Sequence, residues 1–430
     1  MSRAALTMGW WGVCSAMYYI FVAAALAQKY GARSVLLGML ISIAIFAMVA
    51  GVLVSAAVRS GKSVALLSSS MLGPGGGAIA SLLLAVSGIY FAVFEGSILA
   101  VAISKALPAI SYGAACVLVV AVGATLVIGS IQRALHRINA LLLPVYLGGL
   151  AWLTVSVSAS HGLSTHWLEL GPRVPVSEGW WPCVSTYMGL WIMLMVCVDF
   201  ARFGRPEDTR YHALVNFGGP FYFVTLMVNG VVGLFLVGSL YLHQVTETSV
   251  VDATFLVLGS AGALAFIWAT QTRINVVNFY ISSINLQAVM RTATRRRVPR
   301  LVALMLVSVI VALLMQATGI FSWLLWGLNL QAVFITSWVG LALVDALAGR
   351  SGDRGQPVDG KDSRGLGAWL AGALVGLALL PFPSLATFAA PASLAVAALL
   401  YRRALNQRAA RSAPVRAAEV LLPTRENQSD

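Results

Sequence analysis

Apolar residues fill this chain in long stretches, and the polar positions inside them are few enough to name. Twelve stretches of about 20 residues or a little more have the length that crosses a bilayer as a helix. They lie near 6–28, 35–57, 78–103, 108–129, 139–158, 182–201, 214–241, 253–285, 299–317, 320–346, 366–384 and 386–402. Only a turn around Thr318 and Gly319 parts the ninth from the tenth, and Pro381 and Pro383 part the last two. The eighth stretch differs from the rest. Its core, Phe266 to Asn285, places Gln271, Asn275, Asn278, Ser282 and Asn285 at i, i+4, i+7, i+11 and i+14, the spacing of one helix face. Arg273 sits among them. Amides and guanidinium groups are costly against lipid, so this face looks into protein or a wet cavity. A lone Ser or Asn in a membrane helix serves as hydrogen-bond glue between helices. Five on one stripe, with an arginine, exceed that need and point to a solute path.

Composition supports the pattern. Of 430 residues, 59% are hydrophobic and 10% charged, too apolar for a soluble chain to cover its surface. The expectation is an all-α polytopic membrane protein. The N-terminal MSRAAL leads straight into the first span with no cleavage-site pattern. Cys14, Cys116, Cys183 and Cys197 lie in or beside apolar segments and read as small hydrophobes. The histidines (136, 161, 166, 212 and 243) are expected in loops, which leaves no metal or haem-ligand set. Most of the 28 Lys and Arg fall at the termini and in the even-to-odd loops. The positive-inside bias then places both termini in the cytoplasm, with the chain in the cell (inner) membrane. The net charge of +13 follows without nucleic acid, because the runs at 291–300 and 401–416 lie beside anionic lipid head groups.

Several local motifs together resemble one family. Asp199 to Arg205 (DFARFGR) resembles the D-F-x-R-F motif closing the sixth helix of the nucleobase:cation symporter-1 family. LLSSSMLGPGGG (66–77) resembles its LLAR-x-x-F-G-x-x-G segment, with Ser69 in place of the arginine. Thr270 to Asn275 resembles its T-N-x-x-x-N, Val344-Asp345 its A-D-Y, and INALLLPVYLGG (138–149) its fifth helix. The resemblance runs in order over roughly residues 5–405 and is nearest the purine and cytosine permease branch.

That resemblance implies a leucine-transporter fold of 12 transmembrane helices, a 5+5 inverted repeat plus two C-terminal helices. The first repeat would be 1–158, an extracellular loop 159–181 and the second repeat 182–348. A cytosolic linker at 349–365, accessory helices at 366–404 and a cytosolic tail at 405–430 would complete it. Such folds break the first helix of each repeat at the midplane. The candidates are GVCSAM (12–17) in the first span and Tyr187 to Trp191 in the sixth, with ordinary small-residue packing as the alternative. Family members stack an aromatic of the third helix on a flat ring, and some read the ring edge four residues later. Here those positions are Phe91 and Glu95, one turn apart. A carboxylate accepts two N–H donors from an aminopyrimidine edge; alternatively Glu95 pairs with Arg273. The implied substrate set is Phe91 and Trp191 as stacking faces, Gly189 at the candidate break, and Glu95, Gln271 and Asn275 on ring edges.

In sodium-coupled relatives the cation sits between carbonyls of the broken first helix, around Ala16 here, and two adjacent hydroxyls of the eighth. Ala269 and Thr270 hold those two places, so one oxygen is missing. Either Arg273 substitutes for sodium, with Glu95 taking up a coupling proton, or it points elsewhere and leaves a sodium site. The implied function is a secondary active transporter importing a planar nitrogen heterocycle by alternating access. Cytosine or a related nucleobase is the leading substrate, coupled to H+ or Na+ and needing no other cofactor. A carrier of a thiamine-precursor pyrimidine (hydroxymethylpyrimidine) is the alternative within that class. From another class, a non-transporting integral membrane enzyme or an assembly subunit would show a nucleophile with its base or a metal set, and none is visible. The expected partners are a small-molecule substrate and the lipid bilayer.

Overall fold

The computed structural model describes residues 1–128, 131–162, 165–174, 176–242, 244–317, 323–350, 352 and 364–421, and among them there is no strand. The Thr318–Gly319 turn, His243 and most of the 349–365 linker lie outside the described residues. Among the described residues, eight helices are long and apolar enough to cross a membrane, or nine when the bent pair Arg3–Ser15 and Tyr18–Tyr30 counts as one span. Three shorter apolar helices, Tyr112–Ile128, Arg300–Met315 and Arg364–Leu379, stand where the fourth, ninth and eleventh spans were expected.

The first span breaks where its small residues cluster. A helix at Arg3–Trp11 tightens into a 3-10 turn at Gly12–Ser15, Ala16 turns extended at ψ 125°, and a second helix runs from Tyr18 to Tyr30. The two halves bend by 41°. Such a break frees carbonyls and amides that must find partners inside the bundle. The sixth span, the other candidate for a break, stays continuous over Trp180–Ala201 and only narrows to a 3-10 turn at Met188–Trp191. Gly189 is needed there because a Cβ would lie 2.5 Å from the Leu328 carbonyl of the tenth span. Gln331 Nε2 donates to the Gly189 carbonyl at 2.7 Å, so the turn is pinned to its neighbour without unwinding.

The eighth span belongs to a longer helical stretch, Glu247–Thr294, opened by a Thr246–Ser249 capping box and kinked at Gly259 (φ 68°). Past that kink it runs antiparallel against the third span, Gly76–Ala106. Gly88 permits the approach, since a Cβ there would overlap Ser282 Oγ and lie 3.2 Å from the Asn278 carbonyl. Two turns up the same seam, Gln271 Nε2 donates to the Glu95 carbonyl at 3.3 Å.

The DFARFGR motif has a structural task. Asp199 Oδ1 accepts from the Val64 amide at 2.9 Å, capping the short helix Val64–Leu72 ahead of the third span. Arg202 donates to the Asp199 carbonyl at 3.1 Å and lies over the Phe203 ring. One expectation is corrected here: the histidines are not all in loops, because His136 and His161 belong to the helix Ile131–His161 and His212 is helical as well. The seventh span starts earlier than its apolar run suggests, within Pro206–Ser239, and buries His212 in a π-helical turn at His212–Asn216. A second π turn follows at Phe223–Val228.

Candidate functional site

The break in the first span opens onto a cavity bounded by the third, sixth and eighth spans. Ala16, Tyr18, Phe91, Glu95, Met193 and Asn278 are among its walls, and most of the remaining lining is apolar. Glu95 is 1% exposed. Its Oε1 accepts from the Tyr18 amide, freed by the break, at 3.4 Å. Its Oε2 is buried and meets no donor among the described residues. The carboxylate therefore faces the first span, and Arg273 is not its partner.

Aromatic side chains frame this carboxylate. Tyr90 OH donates to the Leu324 carbonyl at 2.7 Å, so its oxygen accepts from Tyr18 OH, 2.8 Å away. That relay fixes the Tyr18 ring edge-on to Phe91, with centroids 5.0 Å apart and planes at 80°. A flat ring entering beside Phe91 thus meets an aromatic face with a carboxylate one turn beyond it.

The carbonyls freed by the break are taken by side chains. Arg273, 1% exposed, donates Nη2 to the Trp11 carbonyl at 3.1 Å. Asn229 Nδ2 of the seventh span donates to the Cys14 carbonyl at 2.8 Å, and Tyr146 OH of the fifth lies 3.4 Å from the same oxygen. Tyr146 OH also bonds Asn229 Oδ1. Thr270 Oγ1 turns back to the Ile267 carbonyl of its own helix at 2.9 Å.

No family model matches the sequence, and no curated protein matches it. Solved structures do. Mhp1, a nucleobase-cation-symport-1 family transporter, in a closed conformation with bromovinylhydantoin bound, superposes with a TM-score of 0.72 at 16% identity over 94% of this chain and 91% of that one. Inward-facing Mhp1 gives 0.73 at 17% identity, over 97% and 94%. The substrate-bound outward-open state of a Na+-coupled sialic acid symporter gives 0.58 at 12%, over 96% and 90%. The chain has the Mhp1 fold.

Within the Mhp1 fold the residues singled out from the sequence divide into two groups. Phe91, Glu95 and Ala16 line the cavity. Trp191 does not; it is 2% exposed and edge-on to Phe46, while its neighbours Leu190 and Ile192 reach the wall. Gly189 backs onto the tenth span, and Gln271 abuts the Glu95 carbonyl. Asn275 turns into a separate recess between the third, fourth and eighth spans, beside Thr272 and Trp268. Three contributors carried no site role in the sequence reading, Tyr18, Tyr146 and Asn229, and Asn278 stood there only on the polar stripe, without a ring contact. Asn278 and Asn229 are amides inside apolar spans, a usable signal; the two tyrosines carried none.

Proposed function

We propose that this protein is a cation-coupled secondary transporter that imports a planar nitrogen heterocycle, cytosine or a related pyrimidine, by alternating access across the cell membrane, with both termini cytoplasmic. One observation carries the reading: a buried carboxylate oxygen of Glu95 without a protein donor faces a cavity at a helix break, one turn from Phe91. An unmet buried acceptor is costly, and a ligand N–H removes that cost. Supporting it, Mhp1 is described with a hydantoin, itself a flat nitrogen ring, bound within the same fold. The family motifs in the sequence point the same way.

Counterflow of radiolabelled cytosine into proteoliposomes tests the proposal. Preloading with unlabelled cytosine is expected to accelerate label entry, and hydroxymethylpyrimidine is to be run beside it. Absence of counterflow for both pyrimidines and for purine bases would defeat the reading. The stacking wall has its own test. Phe91→Ala is expected to cost about 1–3 kcal/mol of ligand affinity, whereas Phe91→Trp is tolerated. Isothermal titration on purified protein measures both.

A further inference from the structure

On the far side of the eighth span from the transport cavity, one buried amide has nothing to bond. Asn275 is 3% exposed, and neither its Oδ1 nor its Nδ2 meets a partner among the described residues. It lines the recess between the third, fourth and eighth spans, whose volume of about 520 Å³ lies within the range of small-molecule sites. Along the eighth span the recess runs from Ala261 to Asn275, a rise of about 21 Å. Along the third it runs from Leu107, the cap residue of that helix, back to Leu99. One end therefore lies at the helix terminus and the other within the depth of the span. Gly96 stands at the deep end, where a Cβ would lie 3.6 Å from Asn275 Nδ2.

The rest of the recess suits lipid. Thr272 is its other polar residue, and Ile103, Val119 and Leu264 are among the apolar walls. Leu118, Val122 and Trp268 also line it and are exposed on the outside of the bundle, so a ligand enters from the bilayer.

Two demands meet there. Water on the amide would leave the apolar walls wetted, and apolar cavities stay dry. A hydrocarbon tail alone covers the walls and leaves a buried donor and a buried acceptor unmet, which is costly. A carboxamide presents N–H and C=O side by side on one edge. A neutral carboxyl answers both at once, its O–H donating to Oδ1 and its carbonyl accepting from Nδ2. An ester accepts and donates nothing. A charged head group is costly at this depth, and burial keeps a carboxyl in its neutral form.

We infer that this recess binds a long-chain carboxylic acid from the bilayer, its neutral carboxyl paired with the Asn275 amide and its chain laid along the apolar walls. The site is distinct from the transport cavity, because Thr272 and Asn275 line the recess while Ile274 and Asn278 of the same helix line the cavity. The recess takes this ligand whichever solute the cavity carries.

The experiment titrates full-length protein in liposomes with dibromostearic acid and, separately, with its methyl ester. Bromine quenches a tryptophan on contact, and mildly acidic buffer keeps the carboxyl neutral. Trp268→Phe identifies the share of quenching that arises in the recess. In wild type that share is expected to saturate, with the acid binding at least about tenfold more tightly than the ester. Asn275→Leu is expected to bring the acid down to the level of the ester and to leave the ester unchanged. Equal affinity of acid and ester in wild type, an acid affinity untouched by Asn275→Leu, or quenching that never saturates or survives Trp268→Phe intact overturns the inference. Should Asn275→Leu not fold, the comparison of acid with ester on wild type decides alone, since it needs no variant at Asn275.

Discussion

Glu95→Gln is expected to weaken binding of amino-substituted rings by about tenfold to a hundredfold, and to affect oxo-substituted rings far less. The substitution preserves shape and an acceptor oxygen. The contact with the Tyr18 amide, 3.4 Å from Oε1, can therefore persist, and the break in the first span keeps its tie to the third. What disappears is the charge on the oxygen that meets no protein donor. A hydrogen bond to a charged group is worth about 1.5–3 kcal/mol, and each 1.4 kcal/mol, roughly, is a factor of ten in affinity. Titration of cytosine and uracil against wild type and variant reads the difference. Equal losses for the two rings, or none, would remove Glu95 from the contact.

Arg273→Ala is expected to abolish transport without creating sodium dependence, and only the pair Arg273→Ala with Ala269→Ser is expected to gain it. The geometry at the break motivates this. A hard cation held there would need several carbonyl and hydroxyl oxygens to replace its water. The Trp11 carbonyl is engaged by the guanidinium, the Cys14 carbonyl by Asn229, and the Thr270 hydroxyl bonds its own helix. Ala269 brings no oxygen of its own side chain. The positive charge of Arg273 adds repulsion, about 4 kcal/mol for two unit charges about 4 Å apart at an effective dielectric of about 20. On this hypothesis the arginine does a bound cation's structural work, bracing the eighth span against the first. Affinity measured in sodium and in choline buffers is expected to be equal for the wild type. A clear rise in sodium would refute the substitution.

The break in the first span was legible because a cluster of small residues, GVCSAM, is visible without knowing any neighbour. The sixth span was less so. Its glycine serves close approach to Leu328, and a sequence does not distinguish a glycine that lets a helix unwind from one that lets another backbone come near. The polar stripe of the eighth span was correctly read as facing protein or a cavity, since Gln271, Asn275, Asn278, Ser282 and Asn285 are all buried. Which residue meets which neighbour was not legible. Residues 274, 278 and 281 turn to the cavity, and 272 and 275 to the recess beside the fourth span. A stripe wide enough to touch two partners carries no mark of where one ends and the other begins. Tyr146 and Asn229 were invisible for a related reason. Their role is to meet a carbonyl that is exposed only because a helix far away in sequence has broken.

The two π turns of the seventh span give it a slack in residue count that its side chains do not show. Each takes up an extra residue without ending the helix, and the second, Phe223–Val228, directly precedes Asn229. A residue deleted from an ordinary α turn swings everything downstream by about 100° about the helix axis. Deleted inside Phe223–Val228, it comes out of the wider turn instead, which closes to an α turn and leaves the Asn229 amide at the Cys14 carbonyl. The segment is therefore tolerant of a lost residue where the turns on either side are not, like a belt with one spare notch.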